Sequence, residues 1–391
     1  MTVSRTPPKV LRLALWLLGG LGAAYAAASA LGILIGADAT IRARPVKPKG
    51  SWVRVRHNGP DAVQLPANAD TLAPGVLGLE TETAHLLLGP PRRSGRQVIR
   101  PILAASGEWA EGDRARATTL IYGGTPAQLG LPYEDVSVPT PVGPMPAWHI
   151  PSAGERDAVV IVVHGHSGER SHGLRVLPAL HRAGVGALYV TYRNAHGAPR
   201  TDGLHTLGAQ EAQDVLAALE WAQDAGYRRA VLYGFSMGGN IALSTLGLAG
   251  KAGLPLPVLG FILDSPALDW RGIIGGFARR YGLTPVAARA TERQITRWSG
   301  QDFDAVDQLR AAPALSLPIL LFHGTADRTV SVAQSDALAA ARPDLVEYHR
   351  LDGAGHIRGW NLDPQFYESA LQAFLERVLS QKQHPQGEPH A

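Results

Sequence analysis

The chain has 391 residues, enough for one large α/β domain with an appendage or for two ordinary domains, and its 45% apolar and 18% charged residues exclude a disordered protein. It has no cysteine, which excludes disulfides, thiolate metal sites and a cysteine nucleophile. The net charge of +4 is unevenly spread: nine of the 37 Lys/Arg but one of the 33 Asp/Glu lie in residues 1–56, so the remainder holds 28 bases against 32 acids and no nucleic-acid partner is expected.

Residues 13–36, LALWLLGGLGAAYAAASALGILIG, carry no charged side chain. At ~1.5 Å rise per residue such a helix crosses a ~30 Å hydrocarbon core, and cations flank it on both sides. Residues 1–36 therefore read as an N-terminal transmembrane anchor whose partner is the lipid bilayer. A cleaved signal peptide is the alternative, because Ala37-Asp38-Ala39 has the small-x-small form. Charge counting leaves the side of the membrane open. Residues 37–50, ending in RARPVKPKG, are rich in proline and cations and read as a linker.

Over residues 51–124 short β-like runs follow, from WVRVRH to RATTLIYGG, parted by Gly, Pro and Asn turns. They predict a small β-rich appendage without repeat or chemical motif. After residue 125 strand-like runs alternate with helical patterns. Strands are predicted at 134–138, 145–150, 158–165, 186–192, 230–235, 258–265, 319–324 and 346–351, several of them continuously apolar, as parallel strands covered on both faces are. The βαβα order predicts an α/β domain over 125–380, with a mostly parallel sheet and helices on both faces. Residues 271–316 are far longer than an ordinary crossover and contain helical segments, which predicts a lid over the strand ends. Residues 381–391 read as a polar, frayed tail.

Gly234-Phe235-Ser236-Met237-Gly238 fits G-x-S-x-G, between a predicted strand and a predicted helix. A sharp turn there demands glycine at 234 and 238 for steric reasons and lifts Ser236 above the sheet. A serine hydroxyl is a poor nucleophile at neutral pH, so a base must take its proton and a carboxylate must hold that base. Past later strands, ILLFHGTADRTV delivers Asp327 and VEYHRLDGAGHI delivers His356 in a glycine-flanked loop. Asp264, in LDSP, is a second candidate for the acid. The chain order Ser, Asp, His matches one of the known triad orders. Four histidines, His164, His166, His196 and His205, match no compact metal-ligand spacing and read as loop hydrogen-bonding residues, as do Arg193 and Asp202.

With VVHGHSGE, GFSMGG, HGTADRTV and GAGH together, residues 125–380 resemble the α/β-hydrolase superfamily, most closely its prolyl-oligopeptidase-like and serine-hydrolase-like members. The resemblance implies Ser236 as nucleophile, His356 as general base and then acid, and Asp327 as the carboxylate that orients the imidazole. It implies backbone amides of Met237 and His166 as the oxyanion hole, and no metal or organic cofactor. The expected activity is cleavage of a small carboxylic ester or thioester through an acyl-serine. A serine peptidase acting on short peptides, or a non-catalytic binding protein on the same fold, are the alternatives.

Overall fold

The computed structural model describes residues 29–44, 50–57, 59–122, 124–154, 157–249 and 253–380. The predicted tail at 381–391, the greater part of the predicted anchor, residues 1–28, and residues 45–49 of the predicted linker lie outside the described residues.

Within residues 52–118, eight strands form one antiparallel sheet: β1 (Trp52–Arg54), β2 (Arg56–His57), β3 (Ala62–Pro66), β4 (Leu77–Glu80), β5 (Ala84–Leu88), β6 (Arg92–Ser94), β7 (Gln97–Gly107) and β8 (Arg114–Thr118). Their order is β1-β8-β4-β5-β7-β3-β2, with β6 paired to β7. Alternation turns Val63, Leu65, Leu77, Leu79, Leu86 and Leu88 into a core of their own. At its edge the buried Arg100 donates to the carbonyls of Thr71, Gly75 and Gly89 at 2.9, 2.9 and 2.6 Å, and to that of Ala73. One guanidinium thus fixes the backbone of residues 71–75. Its burial, with the Arg358 charge nearby, pulls its pKa down to about 10.

The second sheet contains β9 (Glu134–Thr140), β10 (Gly143–Ile150), β11 (Ala158–Val163), β12 (Gly186–Val190), β13 (Arg229–Phe235), β14 (Val258–Asp264), β15 (Ile319–Gly324) and β16 (Val346–Leu351). The order is β16-β15-β14-β13-β11-β12-β10-β9, parallel from β16 to β12, with β10 and β9 antiparallel at one edge. All eight coincide with the strands predicted from the apolar runs. Those runs lack alternation because both faces are covered: in β11, Val159, Ile161 and Val163 enter one core, and Ala158, Val160 and Val162 the other. Helices α3 (Glu211–Asp224), α4 (Met237–Ala249) and α8 (Ala333–Ala341) cover the first face, and α2 (Leu177–Arg182) and α10 (Pro364–Ser380) the second.

The long connection after β14 folds as α5 (Trp270–Arg280), α6 (Pro285–Ser299) and α7 (Gln308–Ala311). Local chemistry sets the bounds of α6: the Thr284 hydroxyl accepts from the Ala287 amide at 3.2 Å, Pro285 occupies the first turn, and Gly300 closes the helix at φ +66°.

The N-terminal segment departs from the expected anchor and linker. Residues 29–41 form a helix, α1, that runs past the predicted boundary at residue 36 and docks on the catalytic sheet. Ala37 and Ile41, one turn apart, are buried in the core beside Leu207. The chain then pairs with the loop after β12: the Ala43 amide donates to Gly203 O at 2.8 Å and the His205 amide to Ile41 O at 2.6 Å. Residues 37–43 are therefore not a free linker, because Ala37, Ile41 and Ala43 are buried before the proline-rich stretch begins. Among the described residues no helix is long and apolar enough to cross a membrane. Docking of this kind makes Ile41→Ala cost about 2–5 kcal/mol of unfolding free energy, read from chemical denaturation, whereas a free linker residue costs close to none.

Candidate active site

β13 passes into α4 through a single residue, Ser236, at φ +53°. Left-handed backbone is strained for a residue with a side chain, and its surroundings explain the glycines. A Cβ on Gly234 would lie 2.4 Å from Gly238 O, one on Gly238 2.2 Å from Val163 O, and one on Gly165 3.0 Å from the Ser236 Cβ. Hydrogen bonds clamp the turn: the Ser236 amide donates to Asp264 O at 2.9 Å, and Ser236 O accepts from the amides of Gly239 and Ala267 at 3.0 and 3.1 Å.

From the loops after β15 and β16 come the other two predicted residues. Ser236 Oγ stands 2.9 Å from His356 Nε2, and His356 Nδ1 donates to Asp327 Oδ2 at 2.6 Å. Asp327 Oδ1 accepts from the amides of Thr329 and Val330 at 2.7 and 2.9 Å. A second histidine, His323, lies with Nε2 at 3.2 Å from Asp327 Oδ2, and its Nδ1 accepts from Ser335 Oγ at 2.7 Å. Burial opposes ionisation of Asp327, yet the hydrogen bonds from His323, His356 and the Thr329 amide hold its pKa well below the usual carboxylate range. The row of hydroxyl, imidazole and ionised carboxylate can move a proton from Ser236 to His356 and stabilise the imidazolium that results.

Asp264, the rival acid, is committed elsewhere: it accepts from Ser265 Oγ at 2.9 Å and from the Tyr367 hydroxyl at 3.0 Å. Burial raises its pKa, against the Arg175 charge and these two hydrogen bonds. Its neighbourhood nonetheless positions the base. Ser265 Oγ accepts from the Ile357 amide at 3.1 Å, and Arg175 donates to Ile357 O at 2.9 Å. His356 is thereby held from both sides of the following peptide.

The loop after β11 closes as a turn, with the Gly168 amide 3.0 Å from Gly165 O, and brings His166 into the same cavity wall as Ser236. Met237 opens α4 directly after the serine, where the positive end of the helix dipole favours a developing oxyanion.

Behind this loop a polar cluster joins His164, His166 and His205, expected as loop hydrogen-bonding residues, to Tyr192 and Glu211, which the sequence pattern does not single out. Tyr192 OH donates to Gly165 O at 2.9 Å and stacks on His164 at 4.4 Å. His205 lies edge-on to His166 at 4.9 Å and 3.4 Å from Glu211 Oε1. Burial pushes the His164 pKa down to about 4, so this ring is neutral. Glu211 also accepts from the Thr206 amide and hydroxyl, both at 2.8 Å; despite its burial, His205 and these bonds hold its pKa below the usual value. The one signal in the sequence was the density of aromatic and histidine residues in YRNAHGAPRTDGLHT. His196 is exposed and outside the cluster, Arg193 is engaged by Asp214 at 2.8 Å, and Asp202 accepts from the Leu204 amide at 2.9 Å. Among the described residues no group of His, Asp or Glu is placed to hold a metal ion.

A cavity of about 570 Å³ opens at the serine. Its wall combines Ser236 and His166 with Trp270, Ile273, Ile274 and Phe277 of α5, and with Gly32, Ile35, Gly36 and Ala39 of α1.

Residues 160–370 match the alpha/beta hydrolase family, and residues 54–118 match a domain of unknown function (DUF8805). The chain is 25% identical over 283 residues to the uncharacterized protein YfhR of Salmonella typhimurium, covering 67% of this chain and 86% of that one. It is 26% identical over 191 residues to the human protein ABHD12B, covering 47% of this chain and 49% of that one. Among solved structures, an esterase of Pyrococcus furiosus, Pf2001, superposes with a TM-score of 0.53 at 23% identity, covering 66% of this chain and 96% of that one.

If the three side chains work as a unit, a fluorophosphonate probe labels the protein and fails on Ser236→Ala. Asp327→Asn slows labelling by about 10³–10⁴-fold, and Asp264→Asn by less than about tenfold; labelling rates followed by gel fluorescence separate the two carboxylates.

Proposed function

The chain belongs to the alpha/beta hydrolase family, and on that premise we propose that it hydrolyses carboxylic esters or thioesters with an apolar acyl group, through an acyl-Ser236 intermediate. The observation that carries this reading is the position of the Ser236 hydroxyl at the wall of a cavity whose other side chains are mostly apolar, with Thr40, His166, Tyr281, Thr291 and Thr329 the polar ones.

In this mechanism His356 Nε2 takes the Ser236 proton as Oγ adds to the acyl carbon. The Met237 and His166 amides hold the negative oxygen of the tetrahedral intermediate, and Asp327 holds the imidazolium. Collapse breaks the bond to the leaving group, which departs with the proton from His356. Water then adds to the acyl-enzyme with His356 as base, and the carboxylic acid leaves. No step calls for a metal or organic cofactor.

Ile35, Phe277 and Tyr281 line the cavity and are exposed, so its opening is apolar as well. An acyl chain entering there leaves water gradually, and each methylene that finds the wall raises kcat/KM by about fourfold. With p-nitrophenyl esters from acetate to dodecanoate, kcat/KM climbs with chain length and levels off when the cavity is full. Gly36 has room for a Cβ, 3.6 Å from the Thr291 methyl, but not for a long side chain without loss of cavity. Gly36→Leu moves the plateau to shorter acids while acetate turnover stays within about twofold. A flat chain-length profile sinks the apolar-acyl reading, and an unlabelled Ser236 sinks the hydrolase mechanism itself.

A further inference from the structure

A second cavity, of about 560 Å³, borders His356 rather than Ser236. The loops after β15 and β16 supply one wall, with Arg328, Gly355, His356 and Arg358; the β-rich sheet supplies the other, through residues 69–74 and 117–119. Thr329 belongs to the walls of both cavities.

Given the ester-hydrolase reading, on which this inference rests, the chemistry sorts the two cavities. The acyl carbon is held where Ser236 attacks and the oxyanion donors point, which is the apolar cavity. The leaving oxygen must receive its proton from His356 Nε2 as its bond to carbon breaks, so the leaving group lies against the imidazole. That is the side of the second cavity.

Its charges are distinctive. The Arg328 guanidinium is exposed and has no ion-pair or hydrogen-bond partner among the described residues. Arg358 faces Asp70 at 3.7 Å, and Asp70 is also bonded by Ser51 Oγ at 2.6 Å. Two guanidiniums against one carboxylate leave a net positive wall beside the general acid. The opposite wall is rigid. Arg100 ties down the carbonyls of residues 71–75, and the Val76 amide donates to Asn361 O at 2.7 Å, seating the β-rich sheet on α9 (Gly359–Leu362).

We infer that the β-rich unit and the loops after β15 and β16 together form a leaving-group subsite for an alcohol that carries a carboxylate or phosphate, bound by Arg328 and Arg358. The unit matched to a domain of unknown function thereby becomes the part of the enzyme that recognises what is released. The acid product leaves from the apolar side and the anionic alcohol from the cationic side, with its proton from His356.

The test compares 4-(octanoyloxy)benzoate, whose leaving group is an anion, with the neutral 4-(octanoyloxy)benzamide, using the full chain. The expected ratio of kcat/KM favours the benzoate by about tenfold or more, the worth of one charge-assisted hydrogen bond at a partly exposed site. R328Q lowers that ratio toward one, and D70N, which frees Arg358 from its competitor, raises it. Fluorophosphonate labelling of each variant at the wild-type extent shows that the fold is intact. If both esters are cleaved at equal kcat/KM and neither substitution moves the ratio, the subsite is overturned and the hydrolase reading stands. If neither ester is cleaved and Ser236 is not labelled, the hydrolase reading falls and takes the subsite with it.

Discussion

Ser236 must end a strand and begin a helix in one residue, and the left-handed backbone that achieves this costs on the order of 1–2 kcal/mol. A turn so strained persists only where its neighbours over-determine it, and the clamps here do more than hold it. The carbonyl that receives the Ser236 amide belongs to Asp264, whose next residue, Ser265, is itself left-handed at φ +51° and receives the Ile357 amide. Ile357, also left-handed at φ +49°, follows His356. The nucleophile's strain and the base's position are parts of one hydrogen-bonded circuit across β13, β14 and the loop after β16. Buried Arg175 closes it by holding Ile357 O and the Asn361 side chain. A small displacement of any of these backbones is felt at the 2.9 Å separation between Ser236 and His356.

The same circuit gives two neighbouring carboxylates opposite characters. Asp327 sits among four donors, the two histidine rings and the amides of Thr329 and Val330, and is kept ionised. Asp264 is sealed among Tyr233, Tyr367 and Ser265, where burial favours the protonated form. Sequence position alone does not separate them, since both stand at or just past the ends of parallel strands. What separates them is the set of donors gathered on the carboxylate, two amides of the following loop and two histidine rings brought by β15 and the loop after β16, a property of the folded geometry.

Legibility in the sequence follows this division. The central parallel strands β11 to β15 were readable because burial on both faces leaves a nearly unbroken apolar run, and Ser236, Asp327 and His356 because each stands at a strand end in a glycine-bearing loop. The three-residue strand β6, RRS, was not, since fully exposed residues carry no burial pattern. The docked end of α1 was not legible for a related reason: nothing local to Ala37 and Ile41 announces the protein groove that buries them, while Leu31, Leu34 and Ile35 one and two turns earlier stay exposed. The cluster of Tyr192, His205 and Glu211 behind the loop after β11 depends on contacts that join separate loops, such as that of Tyr192 with His164, 28 residues earlier, which no local pattern encodes.

The parts least legible are also those that shape the cavities. The family match begins at residue 160, whereas α1 and the β-rich sheet both precede it. The matched region contains Ser236, His356, Asp327 and the turn after β11, and the hydrogen bonds that align the three side chains run within it. It does not enclose a substrate: the apolar cavity takes one wall from α1, and the cationic one takes a wall from residues 69–74. Parts of both cavity walls thus come from outside the stretch that aligns Ser236, His356 and Asp327, while α5, Arg328 and Arg358 supply other parts from within it. The circuit around Ser236 constrains the hydrolase core, while α1 and the loop at residues 69–74, which complete the cavity walls, lie outside that circuit. Their shape can vary without disturbing the alignment of Ser236, His356 and Asp327, which is the condition under which one active site serves different esters.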